Sequence, residues 1–255
     1  MDARRSAGAV LSHHTTTPRI ITVAETGSTN ADLLAMATAG SASEGVWLRA
    51  ERQMSGRGRL GREWASPAGN MYASTIITLR ADDPPAPSLA LVAAVALEEA
   101  IAAVLPDRAR RKLAIKWPND VLIGGAKVSG ILLERAGADV VIGIGVNVAH
   151  HPDLPDRATT SLHAEGASVD VAAFTERLAG LMAAWLTLWR GQGLAPVIER
   201  WSERAHALGT PLRVRLPDGG EQTGAFDGLD AQGALRLRLE DGGSRVIHAG
   251  DIFLV

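Results

Sequence analysis

The texture of the chain changes once, at Pro211, and that change limits the fold more than any other feature. From residue 19 onward, short apolar runs that read as strands alternate with longer runs of helical period. RIITVAE is a strand, TGSTNADLLAMATAG a Ser/Thr-capped helix closed by Gly40, and VWLRAER and MYASTIITL are two further strands. SLALVAAVALEEAIAAVL is Ala/Leu/Val-rich and about five turns long at ~3.6 residues per turn, which predicts a buried helix. KLAIKW, AKVSGILLER and DVVIGIGVNV return to strand, and VDVAAFTERLAGLMAAWLTLWR and LAPVIERWSERAHAL are amphipathic helices. Past Pro211 only short alternating runs occur, PLRVRL, QTGAFDGL, ALRLRLE and SRVIHAGDIFLV, punctuated by PDGG, LDAQG and EDGG turns. The pattern predicts an α+β fold, with a mixed β-sheet and packed helices over 19–209 and a small all-β barrel over 210–255. Residues 1–18 lack clear periodicity and read as a flexible extension, with His13-His14 part of a solvated tail rather than a metal pair.

With 46% hydrophobic residues in 255, the chain can bury a proper core. Its 26 basic and 28 acidic residues leave a formal charge of −2, so the global field pulls neither nucleic acid nor an anionic membrane, and any anion site must be local. The absence of cysteine excludes disulfides, thiolate metal sites and a cysteine nucleophile. No apolar run reads as long enough to span a bilayer, and Arg4-Arg5 is not followed by an apolar signal core, so a cytoplasmic protein without membrane contact is expected.

The sharpest local feature is GRGRLGREW, residues 56–64, where Arg57, Arg59 and Arg62 alternate with Gly56, Gly58 and Gly61. Glycine lets backbone N–H groups approach an anion, and arginine supplies planar multi-donor charge that burial cannot neutralise. Arginines this close repel one another without a counter-ion, so the loop is expected to order around a ligand. Alone it fits a phosphate loop, an RNA-binding Arg/Gly segment or a solvated loop; no stacking aromatics repeat around it, and GGAKVSG lacks the P-loop pattern. KWPND, residues 116–120, ends a strand with a cation in Lys116, an aromatic body in Trp117 and oxygens in Asn119 and Asp120 for Mg²⁺ or ligand hydroxyls; a plain Asn-Asp turn over a buried tryptophan has the same look. Lys127 stands on an apolar strand where a long cation needs an anion, unless it guards a sheet edge. Gly130 permits close approach of a flat ligand, and GIGVN, residues 143–147, ends a strand with two small residues and an amide; these glycines equally suit a bulge or close packing.

Taken together, STN (28–30), Gln53, GRGRLGREW, KWPND, K-x-x-G-I-L-L-E (127–134) and GIGVNV (143–148) resemble the biotin protein ligase family in order and spacing. The W-x-x-R string from Trp201 to Arg204 and the final AGDI resemble that family's C-terminal portion. The resemblance implies a class II synthetase-like biotin/lipoyl ligase catalytic domain followed by an SH3-like barrel. It also implies two half-reactions: biotin and ATP, with Mg²⁺, give biotinyl-AMP and pyrophosphate, and a lysine of a biotin carboxyl carrier protein then displaces AMP.

Carried over residue by residue, Ser28, Thr29 and Asn30 bind the biotin ureido group with Gln53 nearby, and Gly130 and Leu132 line the biotin chain. Arg57, Gly58 and Arg59 close over biotin and the phosphates as a lid, Arg62 supports them, and Trp64 covers the adenine, which Asn147 also faces. Lys127 bridges the biotin carboxylate and α-phosphate and is the catalytic group together with Arg59; Lys116 meets the phosphate chain, Asn119 the ATP, and Asp120 the ATP-bound metal. Position 60 departs from a polar loop by carrying leucine. Some family members begin with a DNA-binding module, and the roughly 18 residues before the first strand are too few for one, so DNA is not an expected partner. Strands around 131–148 could pair by edge addition with a second copy or with the acceptor, which leaves homodimer and monomer both open. The alternatives are a lipoate protein ligase and a non-catalytic Arg/Gly nucleic-acid-binding module.

Overall fold

The computed structural model describes residues 18–254, so the expectations for the tail, including Arg4-Arg5 and His13-His14, lie outside the described residues. In chain order the first part contains β1 (Ile20–Thr26), α1 (Thr29–Thr38), β2 (Trp47–Gln53), β3 (Met71–Thr78), α2 (Leu89–Val104) and α3 (Asp107–Arg110). It continues with β4 (Leu113–Lys116), β5 (Asp120–Ile123), β6 (Ala126–Ala136), β7 (Asp139–Val146), α4 (Val171–Gln192) and α5 (Ala195–Ser202). Seven strands form one mixed sheet in the order β1-β2-β3-β7-β6-β5-β4, with β1 parallel to β2 and every other pair antiparallel.

Helices cover both faces of this sheet, which is why its central strands read as continuous apolar runs rather than alternating ones. Trp47, Met71, Ala73 and Ile77 meet α2, α4 and α5 in the large core, while Leu48, Ile76 and Val141 meet Leu33 of α1 on the other face. Two helical stretches, Ala86–Val104 and Val171–Gln192, are long and apolar enough to cross a bilayer, which corrects the reading that no run reaches that length. Packing accounts for their composition: Leu91, Val92, Val95 and Leu97 of α2 are buried, and α4 lays Phe174, Leu178, Met182 and Trp189 into the same core.

Beyond α5, β8 (Pro211–Arg215), β9 (Glu221–Leu229), β10 (Leu235–Arg238), β11 (Ser244–Ile247) and β12 (Asp251–Leu254) form a five-stranded antiparallel sheet in the order β11-β10-β9-β8-β12. Alternation sets its faces: Leu212, Val214, Leu235 and Leu237 are buried, while Arg213, Arg215, Arg236 and Arg238 point out. The buried side continues the large core. Trp201 lies 6.3 Å from Phe226, and the Trp117 indole donates to the Gly233 carbonyl at 3.2 Å. The W-x-x-R string thus has a packing explanation, since Arg204 Nε also reaches the fully buried Glu98 of α2 at 3.1 Å.

Four expectations need correction. The DVLI run after KWPN forms its own strand, β5, and the final run splits at Gly250 into β11 and β12. The helix expected through Leu208 ends at Ser202. The strands around 131–148 are not generally edges: β7 is paired on both sides, and β6 is paired with β5 as far as Gly130, so only Leu132–Ala136 of β6 lacks a strand neighbour on one side.

Candidate active site

The two-residue period of a strand divides β7 between two tasks. Val140, Ile142, Ile144 and Val146 enter the large core, which leaves Val141, Gly143 and Gly145 on the α1 face. The register sets Gly143 between Leu132 of β6 and Ser74 of β3, and Gly145 between Gly130 and Tyr72. Without side chains at Gly130, Gly143 and Gly145 the sheet offers a bare backbone floor to a cavity of about 450 Å³. The space is already claimed closely by neighbours. A Cβ on Gly145 would sit 2.6 Å from the Trp64 indole, and one on Gly143 would collide with Asn30 Oδ1.

STN folds as the start of α1 because Ser28 is its N-cap, accepting the Ala31 N–H, so Ser28, Thr29 and Asn30 are buried at the helix end that faces the floor. Gln53, the last residue of β2, accepts the Thr29 N–H at 2.9 Å. Lys127 finds its anion within the protein: its Nζ is 2.6 Å from Asp120 Oδ1 on the neighbouring strand and 5.5 Å from the Trp64 ring centre. Asn119 accepts from Arg59 Nη1 at 3.2 Å and donates to the Ile131 carbonyl at 2.7 Å. Burial pushes the Lys116 ammonium pKa down against the pull of Asp120, and the Phe253 ring lies 5.9 Å away. Asn147 is buried and donates to the Thr160 carbonyl at 3.0 Å.

GRGRLGREW is a hairpin closed by an Arg57–Glu63 bridge, with Trp64 N–H donating to Gly56 O at 2.9 Å and Gly58 N–H to Arg62 O at 2.7 Å. Leu60 and Gly61 form its tip, with φ of 57° and 71°. Both are left-handed, and Arg62 N–H donates to Arg59 O at 3.2 Å to close the turn around them within the three-residue loop Arg59–Gly61. These clustered arginines need a counter-ion, and the structure supplies it from the chain itself rather than from a ligand. Arg57 pairs with Glu134 at 3.3 Å, and Arg59 and Arg62 both pair with Asp251 of β12, Arg59 at 3.4 Å. Arg59 Nη2 also donates to Gly250 O at 3.1 Å. Burial alone would raise the Asp251 carboxyl, but Arg62 and Arg59 outweigh it and hold its pKa below the ordinary value.

Every residue given a biotin, ATP or metal role from the sequence, from Ser28 to Asn147, lines this one cavity, while Gly56, Leu60 and Gly61 of the loop do not. Sequence reasoning missed Asp251, Arg157 and Phe253, which line the cavity, and Ser74 and Glu134, which stand behind the lining and bond Asn30. Glu134 and Asp251 stood inside quoted strings, but nothing local shows that a carboxylate will meet a particular arginine. Among the described residues no three His, Asp or Glu side chains cluster as a metal site. Glu63, Asp120, Asp156 and Asp251 are the carboxylates of the cavity lining, and Asp120 is engaged by Lys127.

Residues 28–147 match the model of the biotin/lipoate A/B protein ligase family, and residues 208–255 that of the biotin protein ligase C-terminal domain. A biotin--[acetyl-CoA-carboxylase] ligase of Paracoccus denitrificans is 40% identical over 242 residues, covering 91% of this chain and 98% of that protein. Among solved structures, a biotin protein ligase from Aquifex aeolicus in complex with biotin and ATP superposes with a TM-score of 0.79 at 26% identity, covering 93% of this chain and 98% of that one. One from Leishmania major in complex with biotinyl-5-AMP superposes at 0.64 and 26% identity, covering 91% and 99%. With the strings, the fold and a near full-length relative in agreement, the chain belongs to the biotin protein ligases.

Proposed function

We propose that this protein activates biotin with ATP and transfers it to a lysine of a carboxylase's biotin carboxyl carrier domain. The observation that carries the reading is Lys127, held by Asp120 at the edge of a glycine floor and beneath an arginine hairpin, all in one cavity. In the first step a biotin carboxylate oxygen attacks the ATP α-phosphorus, and the bond to the β-phosphate oxygen breaks to release pyrophosphate. In the second, the carrier lysine nitrogen attacks the acyl carbon, the bond to the AMP oxygen breaks, and the amine proton is lost.

The first step brings two anions together, and cations fixed beforehand lower that barrier most. In this reading Lys127 bridges carboxylate and α-phosphate, with Arg59 as second cation and Lys116 along the phosphate chain. Ser28, Thr29, Asn30 and Gln53 face the ureido group across the floor of Gly130 and Leu132; polar groups in an otherwise apolar pocket reject analogues that cannot pair with them. Arg57, Gly58, Arg59 and Arg62 close the lid, with Trp64 and Asn147 toward the adenine. Trp64 Nε1 is buried against Gly145 and has no hydrogen-bond partner among the described residues. Asn119 faces ATP, and Asp120 is placed to share the Mg²⁺ that accompanies it. An extended carrier segment added along Leu132–Ala136 would run on the strand that bears Lys127; the same edge joined to a second copy would make a homodimer. These substrates fit action in the cytoplasm.

The test is pyrophosphate release from ATP by purified protein, with biotin or lipoate and with wild type or Lys127→Ala. Release with biotin, at most a trace with lipoate and at most a trace in the variant is the expected result. Release with lipoate alone would move the protein to lipoate activation, and none with either acid would overturn the enzymatic reading.

A further inference from the structure

A row of hydrogen bonds leaves one end of the lid, crosses the pocket wall and returns to the other end. Arg57 Nη2 is 3.3 Å from Glu134 Oε1, and Asn30 Nδ2 donates to Glu134 Oε2 at 2.8 Å. Ser74 Oγ donates to Asn30 Oδ1 at 2.6 Å, and Ser74 Oγ and Thr29 Oγ1 are 2.7 Å apart. Thr29 N–H meets Gln53 Oε1, Gln53 Nε2 donates to Ser66 Oγ at 3.1 Å, and Ser66 donates to the Trp64 carbonyl at 2.8 Å. Asn30, Ser74 and Thr29 are buried, so water cannot substitute for a missing partner there without cost.

Acceptors at one end decide which way the protons point: Glu134 at 2.8 Å takes Asn30 Nδ2 most closely, and the Leu132 carbonyl takes it at 3.4 Å. A carboxylate only accepts, so Glu134 makes Asn30 present its NH₂ on that side and its oxygen to Ser74. The single Ser74 proton is then committed to Asn30, and the proton shared between Ser74 and Thr29 must come from Thr29. Gln53 Oε1 is held by the Thr29 N–H at 2.9 Å, the shorter of its two contacts with that residue. That leaves Thr29 Oγ1 an acceptor on a residue that lines the cavity, suited to a ureido N–H. We infer that Glu134 is a positioning residue that sets the donor and acceptor polarity of the biotin-facing wall and ties it to the closed lid through Arg57.

This rests on the cavity taking biotin, and it goes beyond that assignment because Glu134 is placed to act only through Asn30 and Arg57. Glu134→Gln keeps size and shape but offers Asn30 either an oxygen or an NH₂, so the row's direction is left to the longer contact with the Leu132 carbonyl. Calorimetric titration with biotin is expected to give a Kd about tenfold weaker for Glu134→Gln. The ATP KM should rise less than the biotin Kd, since of the lid arginines only Arg57 loses a partner while Arg59 and Arg62 keep Asp251, a split that a general loss of structure would not produce. The effects of Glu134→Gln and Arg57→Ala on biotin affinity are expected to be markedly non-additive in a double-mutant cycle. Ser74→Ala, which frees the same Asn30 oxygen from the other side, should weaken biotin alone in the same manner and serves if Glu134→Gln folds poorly. Wild-type affinity in both variants, or additive effects in the cycle, overturns the inference while leaving the biotin assignment intact; wild type that binds no biotin overturns both.

Discussion

Asp251 Oδ1 lies 3.4 Å from Arg59 Nη1 although the two residues are 192 positions apart, so a carboxylate of the C-terminal sheet holds the hairpin over the cavity. The same carboxylate takes Arg62, which makes β12 the outer fastening of the lid. Asp251→Asn keeps the shape and removes the charge. The expected outcome is adenylate that still forms but escapes several-fold faster, read as biotinyl-AMP lost from the protein during gel filtration, because a loosened lid no longer shields the intermediate. The pH dependence follows from the lowered pKa. A carboxylate depressed in the folded state contributes above its ordinary value of 3.8 and loses that contribution as pH falls through its lower folded value, so the wild-type fastening survives mild acid. Asp251→Asn should lack that acid-dependent step.

Gly143 and Gly145 test the floor. Gly143→Ala would press a methyl group into Asn30 Oδ1, and Gly145→Ala would place one 2.6 Å from Trp64. Overpacking of this kind costs about 1–3 kcal/mol. Both glycines lie on the site face, so the expected cost falls on biotin affinity, about tenfold or more by calorimetry, with a cooperative thermal transition retained. An unfolded Gly143→Ala protein, or one binding biotin normally, would count against this division of faces.

Leu60 sits at φ 57° and is 71% exposed, so it carries left-handed strain with no burial in return. That conformation costs a non-glycine residue about 1–2 kcal/mol, and asparagine tolerates it better. Leu60→Asn is expected to slow amide exchange at Gly58 and Arg62, whose N–H groups close the hairpin, by about fivefold for each 1 kcal/mol recovered. Faster exchange would show that the leucine stabilises the tip in some other way.

Periodicity located most of the helices and strands because packing on both faces of the main sheet leaves long apolar runs in the chain. It passed over β5, whose four residues follow a proline and an asparagine directly, and it joined β11 to β12 because Ala249 and Gly250 interrupt the run by so little. The cavity residues were legible as strings since floor, wall and lid each come from one contiguous segment. The carboxylates that fasten the lid were not: Glu134 is 77 residues from Arg57 by number and Asp251 is 192 from Arg59, and only the folded sheets bring them together. Lys127 shows a partial success of the same reasoning, because the demand for an anion was sound and Asp120 meets it from seven residues away.

The division of β7 between core and floor also bears on how such a protein can change. Stability and ligand choice are written on alternate letters of one strand: Val140, Ile142, Ile144 and Val146 answer to the interior, while Gly143 and Gly145 answer to whatever lies above them. A pocket can therefore be reshaped for a larger or smaller acid by altering every second residue, with the intervening aliphatic side chains untouched. Laboratory selection for a new cargo has, in this strand, a route along which foldability and specificity vary separately.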